Sequence, residues 1–209
     1  MKRRVFTQAI LASLISGPAF AADPLPTLRE TPMFLDQVKS GALPPVDQRV
    51  PRPPWIVKHF AGGDGPGQQG GQLNMLVASA RDTRLMTVYS YTRLIIYTPE
   101  FKLRPDILES YENKDDREFT FRLREGHKWS DGQPFTTDDF RFFWEDVANN
   151  KDLSPSGPSV ELLVDGQPPK VEIIDARTIK YSWDKPNPYF IESQARAAPL
   201  VLFRPAHYL

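Results

Sequence analysis

Residues 119–144, FTFRLREGHKWSDGQPFTTDDFRFFW, carry a strand, a turn and a capped helix with almost no residue to spare. Phe119, Phe121 and Leu123 alternate with Thr120, Arg122 and Arg124, the period-2 pattern of a strand with one apolar and one wet face. Gly126 breaks that run, Trp129 returns an aromatic to the interior, and Ser130-Asp131-Gly132 supply turn chemistry before Pro134 ends the loop. Thr136 and Asp139 have capping-box spacing, and Asp138 and Asp139 place carboxylates where a helix dipole favours anions, so a helix starts near Thr137. Phe140, Phe143, Trp144 and Val147 then recur at i, i+3, i+4 and i+7 as one core-facing stripe.

Working outward, the hydrophobic alternation predicts a first strand over 72–79 and a helix running into a short strand over 86–97. Residues 100–102 read as a turn. Strands over 107–112 and 119–124 pair across the charged loop Asn113 to Arg117, and strands over 171–175 and 178–183 pair across Ala176-Arg177. Residues 188–197 open a further helix. The stretch 23–60 is proline-rich, with one short helix from Pro32 at N1 to a stop at Gly41, and Gly62 to Gly71 forms a glycine-rich entry into the first strand.

The first residues read as an export signal. Lys2, Arg3 and Arg4 precede an apolar run, and Ala19-Phe20-Ala21 offers the small-x-small pattern of a cleavage site after Ala21. That apolar run is shorter than the roughly twenty residues of a membrane span, so a soluble mature protein is expected, exported by the general secretory or the twin-arginine route. The chain has 26 basic and 26 acidic residues; loss of residues 1–21 removes three basic ones and leaves a net charge of −3. That balance argues against a nucleic-acid footprint. With no cysteine, disulfides, thiolate metal sites and a lipidated cysteine are excluded.

The block from Phe119 to Trp144 resembles the signature of the bacterial extracellular solute-binding proteins of family 5, the peptide-, dipeptide- and nickel-binding components of ABC importers. In that family an aromatic-T-F-x-L-R-x-G strand is followed by K-W-S-D-G-x-P and a T-x-x-D aromatic helix. Leu103 to Ser110, Val171 to Trp183 and Pro205 to Leu209 (PAHYL) are similar to flanking steps of the same pattern, so the likeness covers about Gln72 to Leu209. It implies an α/β fold, the periplasmic-binding-protein-like lobe I (type II, cluster C) with a mixed sheet and flanking helices, here incomplete because the second lobe is absent. The expected organisation is 1–21 signal peptide, 22–71 proline- and glycine-rich extension, and 72–209 the N-terminal part of lobe I.

The resemblance further implies a monomeric periplasmic binding component that captures a peptide or related small solute between two lobes and hands it to an inner-membrane permease. The alternative is a stand-alone module pairing with a separate second lobe or with the permease. By resemblance the ligand cleft is lined by Arg81, Asp82, Thr83 and Arg84 after the first strand, and by Ser154, Ser156 and Gly157 after the signature helix. Some relatives carry an aromatic where Ser156 stands. No cofactor, metal or catalytic residue is expected. Gly65 to Gly70 match G-x-G-x-x-G but follow a coil instead of a strand; His59, His127 and His207 lack metal-ligand spacing; and Asp131, Asp138 and Asp139 are accounted for by turn and cap duties. Trp129, Phe140, Phe143 and Trp144 are read as core, not as a ligand platform.

Overall fold

The computed structural model of the chain describes residues 27–56, 70–72, 74–82 and 92–209. Its centre is a four-stranded antiparallel sheet in the order β3-β4-β6-β5, built from β3 (Leu108–Lys114), β4 (Glu118–Leu123), β5 (Lys170–Asp175) and β6 (Thr178–Ser182). A small hairpin, β1 (Ile95–Tyr97) with β2 (Leu103–Pro105), precedes it. Every ladder among the described residues is antiparallel, so of the expected mixed sheet only antiparallel pairings occur there. No helix among them is long and apolar enough to cross a membrane.

β4 shows the alternation read from the sequence, with Phe119, Phe121 and Leu123 fully buried. It lies between two neighbours: Phe119 faces Tyr181 and Phe121 faces Ile179 across β6, while Tyr111 faces Phe121 from β3. Cross-strand pairs of this kind are the unit of sheet stabilisation. The opposite face is charged, with Lys180 and Lys114 both on Glu118 and Arg122 on Glu109. One face therefore makes the core and the other meets water.

The β3–β4 turn is tighter than expected, because Asp115 and Asp116 both adopt left-handed φ (56° and 53°) and the Asn113 side chain brackets Asp116 on two atoms. The β5–β6 hairpin turns at Ala176-Arg177 as expected, Arg177 N donating to Asp175 Oδ1 at 2.7 Å.

Helix α3 (Thr137–Phe142) begins where the capping box predicts. Asp138 N donates to Thr136 Oγ1 (3.3 Å) and Thr136 N donates to Asp139 Oδ2 (3.0 Å). Thr136→Ala is expected to cost about 1 kcal/mol in urea unfolding, with Thr136→Ser recovering most of it. The rest of the predicted stripe is corrected. From Phe143 to Ala148 the chain forms a π-helical turn, Asn149 N reaching Trp144 O at 3.3 Å. An i→i+5 turn needs more residues to come round, so Ala148 takes the buried place expected for Val147 and Phe143 is only half-buried, whereas Trp144 packs against the core as expected.

Two other expectations change. Residues 74–79 form no strand: they have no ladder partner among the described residues, Leu76 is fully exposed, and Leu73 lies outside those residues. Apolar alternation makes a strand only where a second backbone takes up its N–H and C=O groups. The helix expected over 188–197 shrinks to α4 (Phe190–Ser193). Beyond it the buried Arg93 guanidinium takes the carbonyls of Arg196 (3.3 Å) and Ala197 (2.8 Å), which draws the chain out of the helical path. The helix expected from residue 86 falls largely outside the described residues, although the strand it leads into is β1.

The proline-rich stretch holds its predicted short helix as a 3-10 turn Pro32–Phe34 running into α1 (Leu35–Lys39), plus one unforeseen turn, α2 (Val46–Arg49). Residues 48–55 strap across the signature loop. Arg52 N donates to Glu125 O (2.8 Å), Lys128 Nζ to Gln48 O (2.8 Å) and Arg124 Nη1 to Pro53 O (3.4 Å), and the Arg104 guanidinium lies 3.9 Å from the Trp55 ring centre.

Candidate functional site

The signature residues close on one another. Trp129 Nε1 donates to Asp139 Oδ2 (3.2 Å), which also accepts from Thr136 N; Asp139 Oδ1 accepts from Ala206 N (3.1 Å), and its carbonyl accepts from Arg204 N (3.1 Å). One buried carboxylate thus ties the K-W-S-D-G turn, the start of α3 and the 204–206 segment together. Around it Trp129, Phe135, Phe140 and Phe203 pack with ring centroids 4.9–6.1 Å apart. His207 adds a contact to Asp131 (Nε2 to Oδ2, 2.7 Å). The Gln133 N–H and His207 together hold the Asp131 carboxyl below the usual carboxylate range. These side chains spend their hydrogen-bonding capacity on each other, and Phe140 is fully buried.

His127, in the loop under the strap, is half-buried against Phe135, and its Nε2 has no hydrogen-bond partner. Burial first, and the neighbouring Arg124 charge second, depress its pKa below 6.5. The folded chain therefore binds that proton more weakly than the unfolded chain, and stability is lost as pH falls from about 6.5 toward the depressed value. Asp106 has the opposite sign, since burial raises its carboxyl above 3.8, so it acts at lower pH. Urea midpoints at about pH 7.5 and about pH 5.5 are expected to differ less in His127→Gln than in the parent.

The residues expected at the ligand cleft lie in two separate turns. Arg81 and Asp82 belong to a short 3-10 turn in which Asp82 N donates to Ser79 O and Asp82 Oδ2 accepts from Ser79 N, both at 3.0 Å. That carboxylate is committed to its own turn, whereas Arg81 is exposed; Thr83 and Arg84 lie outside the described residues. Ser154 N donates to Asn150 O (2.7 Å) and Ser154 O accepts from Gly157 N (2.8 Å), with Gly157 at φ +77° and Ser156 exposed. Among the described residues no hydrogen bond or ion pair joins the two turns. The glycine-rich 65–69 and His59 lie outside those residues, and among the described ones no three His, Asp or Glu side chains gather as metal ligands.

Sequence reasoning missed a cavity of about 380 Å³ whose wall begins directly after the Ser154 loop. Tyr97, Glu161, Asn187, Tyr189, Glu192 and Arg196 line it, contributed by β1, the turn Val160–Leu162 and the segment around α4. No spacing could have revealed it, because Tyr97 and Glu192 meet across 95 residues, the tyrosine hydroxyl donating to Glu192 Oε1 at 2.6 Å.

Comparison with known proteins places this geometry. The description "Bacterial extracellular solute-binding proteins, family 5 Middle" matches residues 102–207. A periplasmic alpha-galactoside-binding protein of Rhizobium meliloti is 31% identical over 171 residues, 72% of this chain and 24% of that protein. The periplasmic oligopeptide-binding protein OppA of Salmonella typhimurium is 32% identical over 109 residues, 46% of this chain and 20% of that protein. A solved oligopeptide-binding protein OppA superposes with a TM-score of 0.76 at 32% identity, covering 88% of this chain and 28% of that one. The chain thus spans about a quarter of the length of these relatives. Since the matched span contains the whole signature and the fold agrees over most of the described residues, the chain has a periplasmic-binding-protein-like α/β fold and belongs to the family 5 bacterial extracellular solute-binding proteins.

Proposed function

We propose that the chain is part of the periplasmic substrate-binding component of an ABC importer, taking up peptides or related small solutes. The carrying observation is the superposition on an oligopeptide-binding protein at 32% identity, with the signature folded as an internal brace. Residues 72–209 form part of the first of two lobes, 22–71 an extension whose residues 48–55 lie against it, and 1–21 an export signal. In the complete protein, hinge closure traps the solute between the lobes, and the closed form is what docks on the permease.

On this lobe Arg81, Asp82, Thr83 and Arg84 form one rim of the cleft, and Ser154, Ser156 and Gly157 the other. The protein works as a monomer and performs no chemistry on its cargo. Peptide main chain is recognised mainly by backbone hydrogen bonds, which makes affinity tolerant of side-chain identity. The test is thermal unfolding of the complete protein against a panel of di- to pentapeptides. A ligand present at a hundred times its dissociation constant stabilises by about 2.7 kcal/mol, so binding peptides raise Tm by several degrees. A flat response to every peptide removes the peptide assignment.

A further inference from the structure

The cavity beside α4 is chemically selective. Glu161 is spent, with one oxygen on Arg196 and the other accepting from Ser159 Oγ (3.1 Å). Glu192 has one oxygen occupied by Tyr97, and Asn187 is only 8% exposed. Asn187 is held by its backbone N–H on Asp116 O (2.6 Å) and by Nδ2 on Glu161 O (3.1 Å), which leaves Oδ1 as an acceptor with no partner among the described residues. At the rim Tyr189 is 73% exposed.

An anion would meet two carboxylates here, and a cation would meet Arg196. An apolar ligand would bury the Asn187 oxygen unmatched. A hydroxyl both donates and accepts, so a ring bearing several of them satisfies Asn187 Oδ1, the second Glu192 oxygen and the outer Arg196 N–H groups at once. Its C–H face suits an exposed tyrosine ring, which is itself apolar in body and polar at the tip. The volume lies at the small end of small-molecule sites. We infer that this cavity is a binding subsite for a neutral pyranose sugar, stacked on Tyr189 and hydrogen-bonded by Asn187, Glu192 and Arg196. The inference does not rest on solute capture between lobes.

The test is a titration of the 15N-labelled 209-residue chain, followed by amide shifts, with methyl β-D-glucopyranoside, methyl α-D-mannopyranoside and methyl β-D-galactopyranoside. N-acetylglycinamide and ethylammonium are run alongside. At least one glycoside is expected to give saturable shifts confined to residues near 161, 189–196 and 97. Tyr189→Ala and Glu192→Gln each weaken that binding tenfold or more while the remaining spectrum stays dispersed, which separates loss of a contact from loss of fold. Linear, non-saturating shifts with all three glycosides overturn the inference. So does tighter binding of the amide or the amine at the same residues, or glycoside affinity unchanged by Tyr189→Ala.

Discussion

Asp139→Ala is expected to lower unfolding stability by about 3 kcal/mol, because three part-buried donors lose one buried acceptor together. The donors are Trp129 Nε1, Thr136 N and Ala206 N, on three separate segments. Asp139→Asn keeps the shape but faces one of its two oxygen positions with an NH2 group, and every neighbour of that carboxylate is a donor. It is therefore expected to cost less than alanine but still well over 1 kcal/mol. Urea unfolding followed by tryptophan fluorescence reads both. A shift below about 0.5 kcal/mol for alanine, typical of a surface change, would show that the carboxylate ties nothing together.

Phe190→Ala is the second large loss, expected at about 3–5 kcal/mol. The Phe190 ring sits 5.0 Å from Phe119, 5.6 Å from Phe121, 5.2 Å from Tyr181 and 4.9 Å from Trp183. It is the plug that α4, only four residues long, sets into the sheet. Removing it opens a void lined by four aromatic rings that cannot collapse together without moving two strands. Phe190→Leu refills most of the volume and is expected to cost less than half as much. Equal losses for alanine and leucine would place the effect in aromatic contact geometry instead of packing volume.

What the sequence made legible follows from local rules. Strand β4 declares itself through a period-2 pattern, α3 through a capping box spanning four residues, and the β5–β6 hairpin through two strands flanking Ala176-Arg177. Each of these is decided within about ten residues. Other features depend on partners elsewhere in the chain. The pairing of β4 with β6 joins Phe119 to Tyr181, 62 positions on, and Asp139 meets Ala206 across 67 residues. The expected strand over 72–79 has the alternation but no ladder partner among the described residues. The π-turn after Phe142 exchanges Val147 for Ala148, a shift that an ideal helical period cannot foretell. Aromatic spacing did identify Trp129 and Phe140 as packing residues, whereas the reach of Asp139 to Trp129 and to Ala206 was hidden behind its cap duty.

The same division holds for the candidate site. Arg81 and Ser154 were reached through family resemblance, and the structure shows the turns that carry them. The cavity at Tyr97, Asn187, Tyr189 and Glu192 draws on segments up to 95 residues apart and leaves no local motif. Residues that brace a fold cluster in sequence here because a strand, a turn and a helix must be joined within a few positions. Residues that face a cavity need only converge in space.

If Asp139 holds the aromatic signature together as an internal brace, the Trp129 indole and the Asp139 carboxylate are energetically coupled, which a double-mutant cycle reads. Urea unfolding free energies of Trp129→Phe, Asp139→Asn and the double variant are predicted to show a coupling of about 1 kcal/mol, as expected for directly bonded side chains. Strictly additive losses would mean that the indole and the carboxylate do not act on each other in solution, and the brace would be contradicted.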